Sequence, residues 1–338
     1  MNIEELEKTR IKYKKSILKC ILICIILCGT PFLLVDIDTA CIIAFIGLII
    51  GVIITIFLTG GPGRKYKKAY KEYFVETSLN KIFTDLKYNS DSGMPRNVIS
   101  STKMMYMGDR YSSNDFMSGK YKNVGFSQAD VCIEEERERT DSEGHTRTYY
   151  VTIFRGRWMI FDFNKQFKAN IQVAQRGFGN NKVQQKGLFS KKDDNSYYKK
   201  VEMESEEFNK RFTVYAQSEH EAFYILTPSL MEKIERLDDN NSGKLLLCFI
   251  NNRLHIGLYD NKDSFEAPSC FSKINEEEEI NKTNSDIKTI TQFIDELNLD
   301  NSLFKNTIVS QEDKETTQTK ENNDNSNIDD SDDSEEWC

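Results

Sequence analysis

Residues 17–58 read ILKCILICIILCGTPFLLVDIDTACIIAFIGLIIGVIITIFL, and the rest of the chain is placed by this stretch. Its second run, Thr39–Leu58, has 20 residues and no charge. At a rise of about 1.5 Å per residue, that length matches a hydrocarbon layer of about 30 Å. The first run, Ile17–Val35, carries one ion, Lys19, near its start, where the ammonium can reach the headgroups. A buried helical hairpin in a soluble core would keep a polar stripe, and Thr39–Leu58 has none. The pattern predicts two transmembrane helices, about 17–35 and 39–58, joined by a short loop.

The flanks orient the hairpin. Lys8, Arg10, Lys12, Lys14 and Lys15 precede it, and Arg64, Lys65, Lys67, Lys68 and Lys71 come after it. The loop holds Asp36 and Asp38 and no cation. By the positive-inside rule both termini, including the basic segment 1–16, are expected on the cytoplasmic side of the membrane. Pro31-Phe32-Leu33 makes a poor cleavage site and a second span begins at once, so the first helix is not expected to be removed as a signal peptide.

Ala40, Ala44, Gly47, Gly51 and Thr55 form a row of small residues on the second helix, with Gly47 and Gly51 spaced as GxxxG. Such a row lets helices approach closely. It serves either the first helix of the same chain or a homodimer through Gly47 and Gly51. Cys20, Cys24 and Cys28 share one face of the first helix and read as small packing residues. The remaining cysteines are far apart with no CxxC, as expected in a reducing compartment.

The chain carries 45 Lys+Arg against 53 Asp+Glu. Residues 311–338 alone hold 11 acids and two lysines, so the remainder is almost neutral. Residues 307–338 therefore read as a disordered acidic tail. Gly60-Gly61-Pro62-Gly63 predicts a helix break that uncouples the anchor from the soluble part of the chain. An amphipathic helix begins near Lys65, with Tyr66, Ala69, Tyr70, Phe74 and Phe83 at helical spacing.

Residues 64–306 read as a cytoplasmic α+β domain of mixed or antiparallel sheet with flanking helices, divided into two lobes near 176–200 in one reading. Hairpins are expected around Lys122-Asn123, Asp141–Gly144, Arg155-Gly156-Arg157 and Asn251-Asn252. A short helix capped by Ser205 precedes a strand at Phe212–Tyr215. Thr227-Pro228 opens a helix to about Leu237, and a last helix spans about Ser285–Leu297.

Three blocks carry a resemblance. They are Tyr106…Asp109-Arg110-Tyr111 with Asp115-Phe116-x-Ser118-Gly119; Phe161-x-x-Asn164-Lys165-x-Phe167; and Phe212-x-Val214-Tyr215…Glu221-Ala222-x-Tyr224-Ile225-Leu226-Thr227-Pro228-Ser229-Leu230-Met231. Together, over about residues 66–304, they resemble the bacterial family known as domain of unknown function 3137. The resemblance implies a two-helix anchor with a cytoplasmic domain, often in the company of LemA-type membrane proteins, and it assigns no catalytic residues.

Motifs of chemistry are absent from the sequence. His220-Glu221 opens like HExxH without the second histidine, and Ser118-Gly119-Lys120 ends like a phosphate loop without its upstream glycine. No cofactor, metal ligand set or catalytic residue is read from the sequence, and the interleaved charges do not suit nucleic acid. Two functions remain: an interaction or scaffold protein at the membrane, or a hydrolase or transferase at the inner leaflet. The second would use a dispersed acid–base site such as His255, or a carboxylate pair like Asp109/Asp115 or Asp162/Glu221.

Overall fold

In the computed structural model, which describes residues 2–163, 168–178 and 198–299, both apolar runs are helical and neither helix stops where its apolar run stops. Helix α1 (Ile3–Gly29) is opened by a capping box between Asn2 and Glu5. The short α2 (Pro31–Leu34) and the Asp36 cap lead into α3 (Ile37–Tyr70). Both long helices are long and apolar enough to cross a membrane. Residues 3–16, set apart in sequence as a basic segment, are the first turns of α1, and Leu6 is fully buried in the core.

The expected break at Gly60–Gly63 does not occur: α3 runs through Pro62 to Tyr70. Pro62 removes one ladder donor, but α1 packs alongside, with the Tyr13 ring against Gly63 and stacked on Tyr66. Tertiary packing overrides the local propensity here. Gly47 and Gly51 face α1 of the same chain; a Cβ at Gly47 would lie 2.9 Å from the Leu27 carbonyl oxygen. The cysteine face of α1 meets the same row, with Cys24 against Gly51.

After α3 come a π-helical turn, Lys71–Glu76, and α4 (Thr77–Ile82). One antiparallel sheet then takes up nine strands: β1 (Thr84–Asn89), β2 (Arg110–Tyr121), β3 (Val124–Thr140), β4 (Thr146–Asp162), β5 (Ile171–Gln175), β6 (Lys199–Val201), β7 (Phe212–Ala216), β8 (Lys244–Ile250) and β9 (Arg253–Tyr259). Their order is β1-β2-β3-β4-β9-β8-β5-β7-β6. The sheet is continuous across the 176–200 segment, since β9 pairs with β4 from Gly156↔Tyr259 to Asp162↔Arg253.

The turn expected at Arg155–Arg157 is strand instead. Gly156 lies close against β9, where a Cβ would fall 2.1 Å from the Leu258 carbonyl oxygen. The turns at Lys122-Asn123 and Asn251-Asn252 form as expected, all four residues having positive φ.

Helices α5 (Arg96–Ser100), α6 (Glu206–Arg211), α7 (Glu219–Ile225), α8 (Pro228–Asn240) and α9 (Glu276–Leu297) complete the domain. The Ser205 and Thr227 caps form as expected. α9 starts well before Ser285, because four glutamates stabilise its first turn without adding an apolar face. The ends of α1 and α3 pack with α8 and α9 over one face of the sheet, around Phe74, Leu79, Met159, Phe249 and Phe293. Met94, Ile99, Met104, Met105 and Met107 cover the other face, over Val131, Phe154 and Trp158.

Beyond Glu134 and Gly156, β3 and β4 lose their outer partners and continue as a two-stranded ribbon to a turn at Asp141–Gly144. Asp141 Oδ1 accepts the backbone N–H groups of Glu143 and His145 there. The acidic tail, residues 164–167 of the second resemblance block and most of the 176–200 segment lie outside the described residues.

Candidate functional site

The entry of α3 into the domain creates a buried polar cluster on the helix-covered face. Lys71 opens the π-helical turn, is 6% exposed, and places its Nζ 2.6 Å from Asp115 Oδ2 and 3.4 Å from the Glu266 carboxylate. Such turns disturb the helical ladder and commonly mark functional positions. Asp115 is fully buried because β2 bulges between Asn114 and Met117, with Asp115 at φ 53°. A bulge re-aims one side chain, and aspartate tolerates the left-handed region. Tyr88 donates its hydroxyl to Asp115 Oδ1, and Asn114 donates to Oδ2.

Further along the same face, Asp130 on β3 lies opposite Arg157 on β4. Asp130 is 3% exposed and accepts the Ser264 backbone N–H at 2.6 Å. Arg157 donates to the Asp286 carbonyl at 2.6 Å and to its carboxylate at 3.0 Å. The other Asp286 oxygen accepts the N–H of Phe265, a bulky residue held at φ 59°. That conformation persists because Ser264 and Phe265 are each tied to a carboxylate.

Burial disfavours the Lys71 ammonium, but Asp115 and Glu266 outweigh it and raise its pKa. Burial pushes the Asp115 carboxyl up, with Lys71 and Tyr88 opposing. Burial raises Asp130 well above the ordinary carboxylate range, against the pull of Arg157. Glu266 lies below its usual value: burial pushes it up, and Lys67 and Lys71 more than reverse that.

Among the described residues, Asp115, Asp130 and Asp263 are the carboxylates that could hold a metal, with oxygens within 4.8 Å of one another. Lys71 already sits against Asp115, and the nearby buried atoms without partners include donors, Arg157 Nε and Gln128 Nε2, as well as Asp130 Oδ1 and Ser264 Oγ. A cation satisfies acceptors and leaves those donors orphaned. What the arrangement does chemically is hold a network of charges out of water, which locks the helices to the sheet.

The acid–base candidates from sequence are not assembled. His255 is buried beneath Trp158 on the methionine-covered face, and burial lowers its pKa to about 4, so it is neutral near pH 7. Asp109 binds the Glu136 N–H at the base of the ribbon, whereas Asp115 belongs to the Lys71 cluster. Asp162 lies near Arg253, and Glu221 accepts the Lys168 N–H. His145 is at the ribbon turn and His220 in α7, apart from both. An open groove of about 540 Å³ runs between α4 and α9, lined by Tyr73, Lys81, Ile82 and Ile280 among others, and none of the cluster reaches it.

Sequence reading missed this cluster because its members lie at 71, 88, 115, 130, 157 and 266. One signal was present: Phe126, Gln128 and Asp130 alternate on one strand face, so two polar side chains stand at core positions.

The model of a family described as protein of unknown function (DUF3137) matches residues 152–299. That stretch belongs to the DUF3137 family. No curated protein and no solved structure matches the chain. The DUF3137 stretch begins inside β4 and supplies Arg157, Ser264, Glu266 and Asp286, whereas Lys71, Tyr88, Asp115 and Asp130 precede it. The Phe212–Met231 block lies within it and is explained by packing: Phe212, Val214, Ala222, Ile225, Leu226 and Met231 are buried, and Ser218 and Thr227 cap the two helices. The first block, Tyr106–Gly119, lies outside the DUF3137 match, although β2 is integral to the same sheet.

Proposed function

We propose that this protein holds a protein partner at a bacterial cell membrane. In this reading α1 and α3 cross the inner membrane, both termini and the α+β domain lie in the cytoplasm, and the domain acts as an interaction module. The basic flanks of the hairpin and its acidic loop support that orientation. The observation that carries the interaction reading is the β3–β4 ribbon. Residues 137–140 and 146–149 are exposed, and among the described residues no third strand pairs with them. Free strand edges are templates for another chain, and charges along them restrict which chain can pair. The continuous α3 gives that ribbon a fixed bearing relative to the anchor. The burial of Lys71, Asp115, Asp130 and Arg157 argues against a catalytic role for them, since a substrate would have to displace the helices. A LemA-type membrane protein is the kind of partner the family resemblance implies.

The test is site-specific photo-crosslinking in the cells that make the protein, with the photoreactive residue at Tyr149 of the full chain. A discrete adduct with a membrane protein, lost when the ribbon charges are reversed, is the expected result. If Tyr149 yields no adduct and the purified chain instead turns over a phosphoester, peptide or lipid, the interaction reading is wrong.

A further inference from the structure

Where α1 and α3 leave their apolar runs, at Ile17 and Leu58, they continue side by side into the domain, and the segment between β9 and α9 is fastened to them there. Arg10 is 6% exposed and gives its Nη1 to the carbonyls of Cys270 at 2.7 Å and Ser272 at 2.8 Å. The Tyr66 hydroxyl donates to the Pro268 carbonyl at 3.1 Å. The Ile274 N–H is accepted by Glu7 Oε1 at 3.2 Å, and Glu7 also pairs with Arg10. Four contacts from the two helices thus fix residues 268–274. Between the two carbonyls that Arg10 holds, Cys270 is turned inward and Phe271 outward, 49% exposed. The Lys14 ammonium lies 5.8 Å from the centroid of the Phe271 ring.

Lys14 gives Phe271 a depth. It precedes Ile17, the first residue of the apolar run, by three positions, or about 5 Å along the helix. A bilayer adds about 5–8 Å of headgroup on each side of its hydrocarbon core. Arg10, which holds the carbonyls on either side of Phe271, lies about 10 Å before Ile17. The ring, reaching back to Lys14, therefore stands at the outer edge of the headgroup layer, the interface to which aromatic side chains partition. At the helix exits and on the loop, Lys12, Lys15, Arg64, Lys65 and Lys273 are exposed cations, suited to lipid phosphates.

We infer that the Pro268–Lys273 loop is a membrane-interface contact: Phe271 enters the headgroup layer of the bilayer that α1 and α3 cross, beside lysines that bind lipid phosphate. This rests on the reading of α1 and α3 as membrane-spanning. It adds that the domain has one fixed face toward the lipid, set by Arg10 and Tyr66, and does not swing on its anchor.

The test uses the full chain in nanodiscs of mixed phosphatidylcholine and phosphatidylglycerol, and reads the emission that F271W adds to the wild-type signal. F45W, at an exposed site on α3, is the control for spanning. Lipid brominated high on the acyl chain is expected to remove most of the emission added by F271W, and aqueous iodide little of it. If F45W is quenched by bromolipid and F271W only by iodide, the loop is in water and this inference fails while the anchor stands. If F271W is shielded from both quenchers, another protein surface covers it and the inference also fails. If F45W is not quenched by lipid, the spanning reading itself is wrong. Thermal unfolding of both variants checks that Arg10 still holds the loop.

Discussion

The two faces of the nine-stranded sheet are filled in opposite ways. The helix-covered face is apolar over most of its area but encloses ions where α3 enters the domain: Lys71, Asp115, Asp130, Arg157 and Glu266. On the other face the methionines of the 94–107 segment lie on Trp158 and Phe154, with one neutral histidine beneath and no buried ion pair among the described residues. An apolar interface of flexible side chains accepts several nearby packings. A buried ion network accepts few, because every displaced partner leaves a charge out of water. The face that receives α1 and α3 is thus the one built to allow a single seating, and the π-helical turn brings Lys71 into that seating.

Removing one ion should be the most damaging change. Lys71→Met leaves Asp115 buried without its cation, and a loss of about 3–5 kcal/mol is expected from denaturant unfolding of the full chain in detergent. The K71M/D115N pair should recover much of it, since the two sites are coupled. A loss of about 1 kcal/mol or less, as for a surface pair, would erase the contrast between the faces.

His255 sharpens the contrast from the other side. Burial depresses its folded pKa to about 4, against an unfolded value near 6.5. Between those values the unfolded chain holds the extra proton, so acidification destabilises the fold. The slope approaches about 1.4 kcal/mol per pH unit and the total about 3 kcal/mol. Asp115 and Asp130, with raised folded pKa values, act in the opposite direction: the folded state takes up their protons before the unfolded chain does, so their contribution to stability grows as pH falls. The measurement is therefore a difference: His255→Gln should remove the loss on acidification from pH 6.5 to 4 and leave the carboxylate contribution. Identical pH profiles for wild type and variant would show that His255 is not held neutral.

Met104→Ala tests the plasticity of the methionine face. Its loss should fall near the low end for buried large-to-small changes, about 2 kcal/mol, because neighbouring methionines can close the space. A loss as large as that of K71M would mean that this face is as exacting as the other.

Much of the fold is written locally. The Asn251-Asn252 and Lys122-Asn123 turns, the Ser205 and Thr227 caps and the charged ribbon each depend on residues within a few positions, and each forms where the sequence places it. The errors share a different cause. Pro62 does not end α3 because α1 packs beside it, with Tyr13, about fifty positions away, against the neighbouring Gly63 and Tyr66. Arg157 is not in a turn because β9 lies beside it. The cluster around Asp115 was illegible for the same reason: a bulge, a π-helical turn and a loop at 263–266 have to meet before its chemistry exists.

The smallest effect on stability, and the most informative about function, should come from the ribbon. Glu138 and Arg139 are exposed on β3 near its tip, and neither belongs to either core. Isolated surface charges of this kind add little to a fold. Glu138→Gln with Arg139→Gln should therefore leave the unfolding midpoint unchanged, in contrast to every substitution above. If the ribbon edge recognises a partner through its charge pattern, the same pair should still abolish the adduct formed at Tyr149, because edge pairing without charge complementarity loses its discrimination. A lowered midpoint would show that the ribbon is part of the stable body. An unchanged midpoint with an unchanged adduct would move the contact to another surface, for which the open groove between α4 and α9 is the next place to insert the crosslinker.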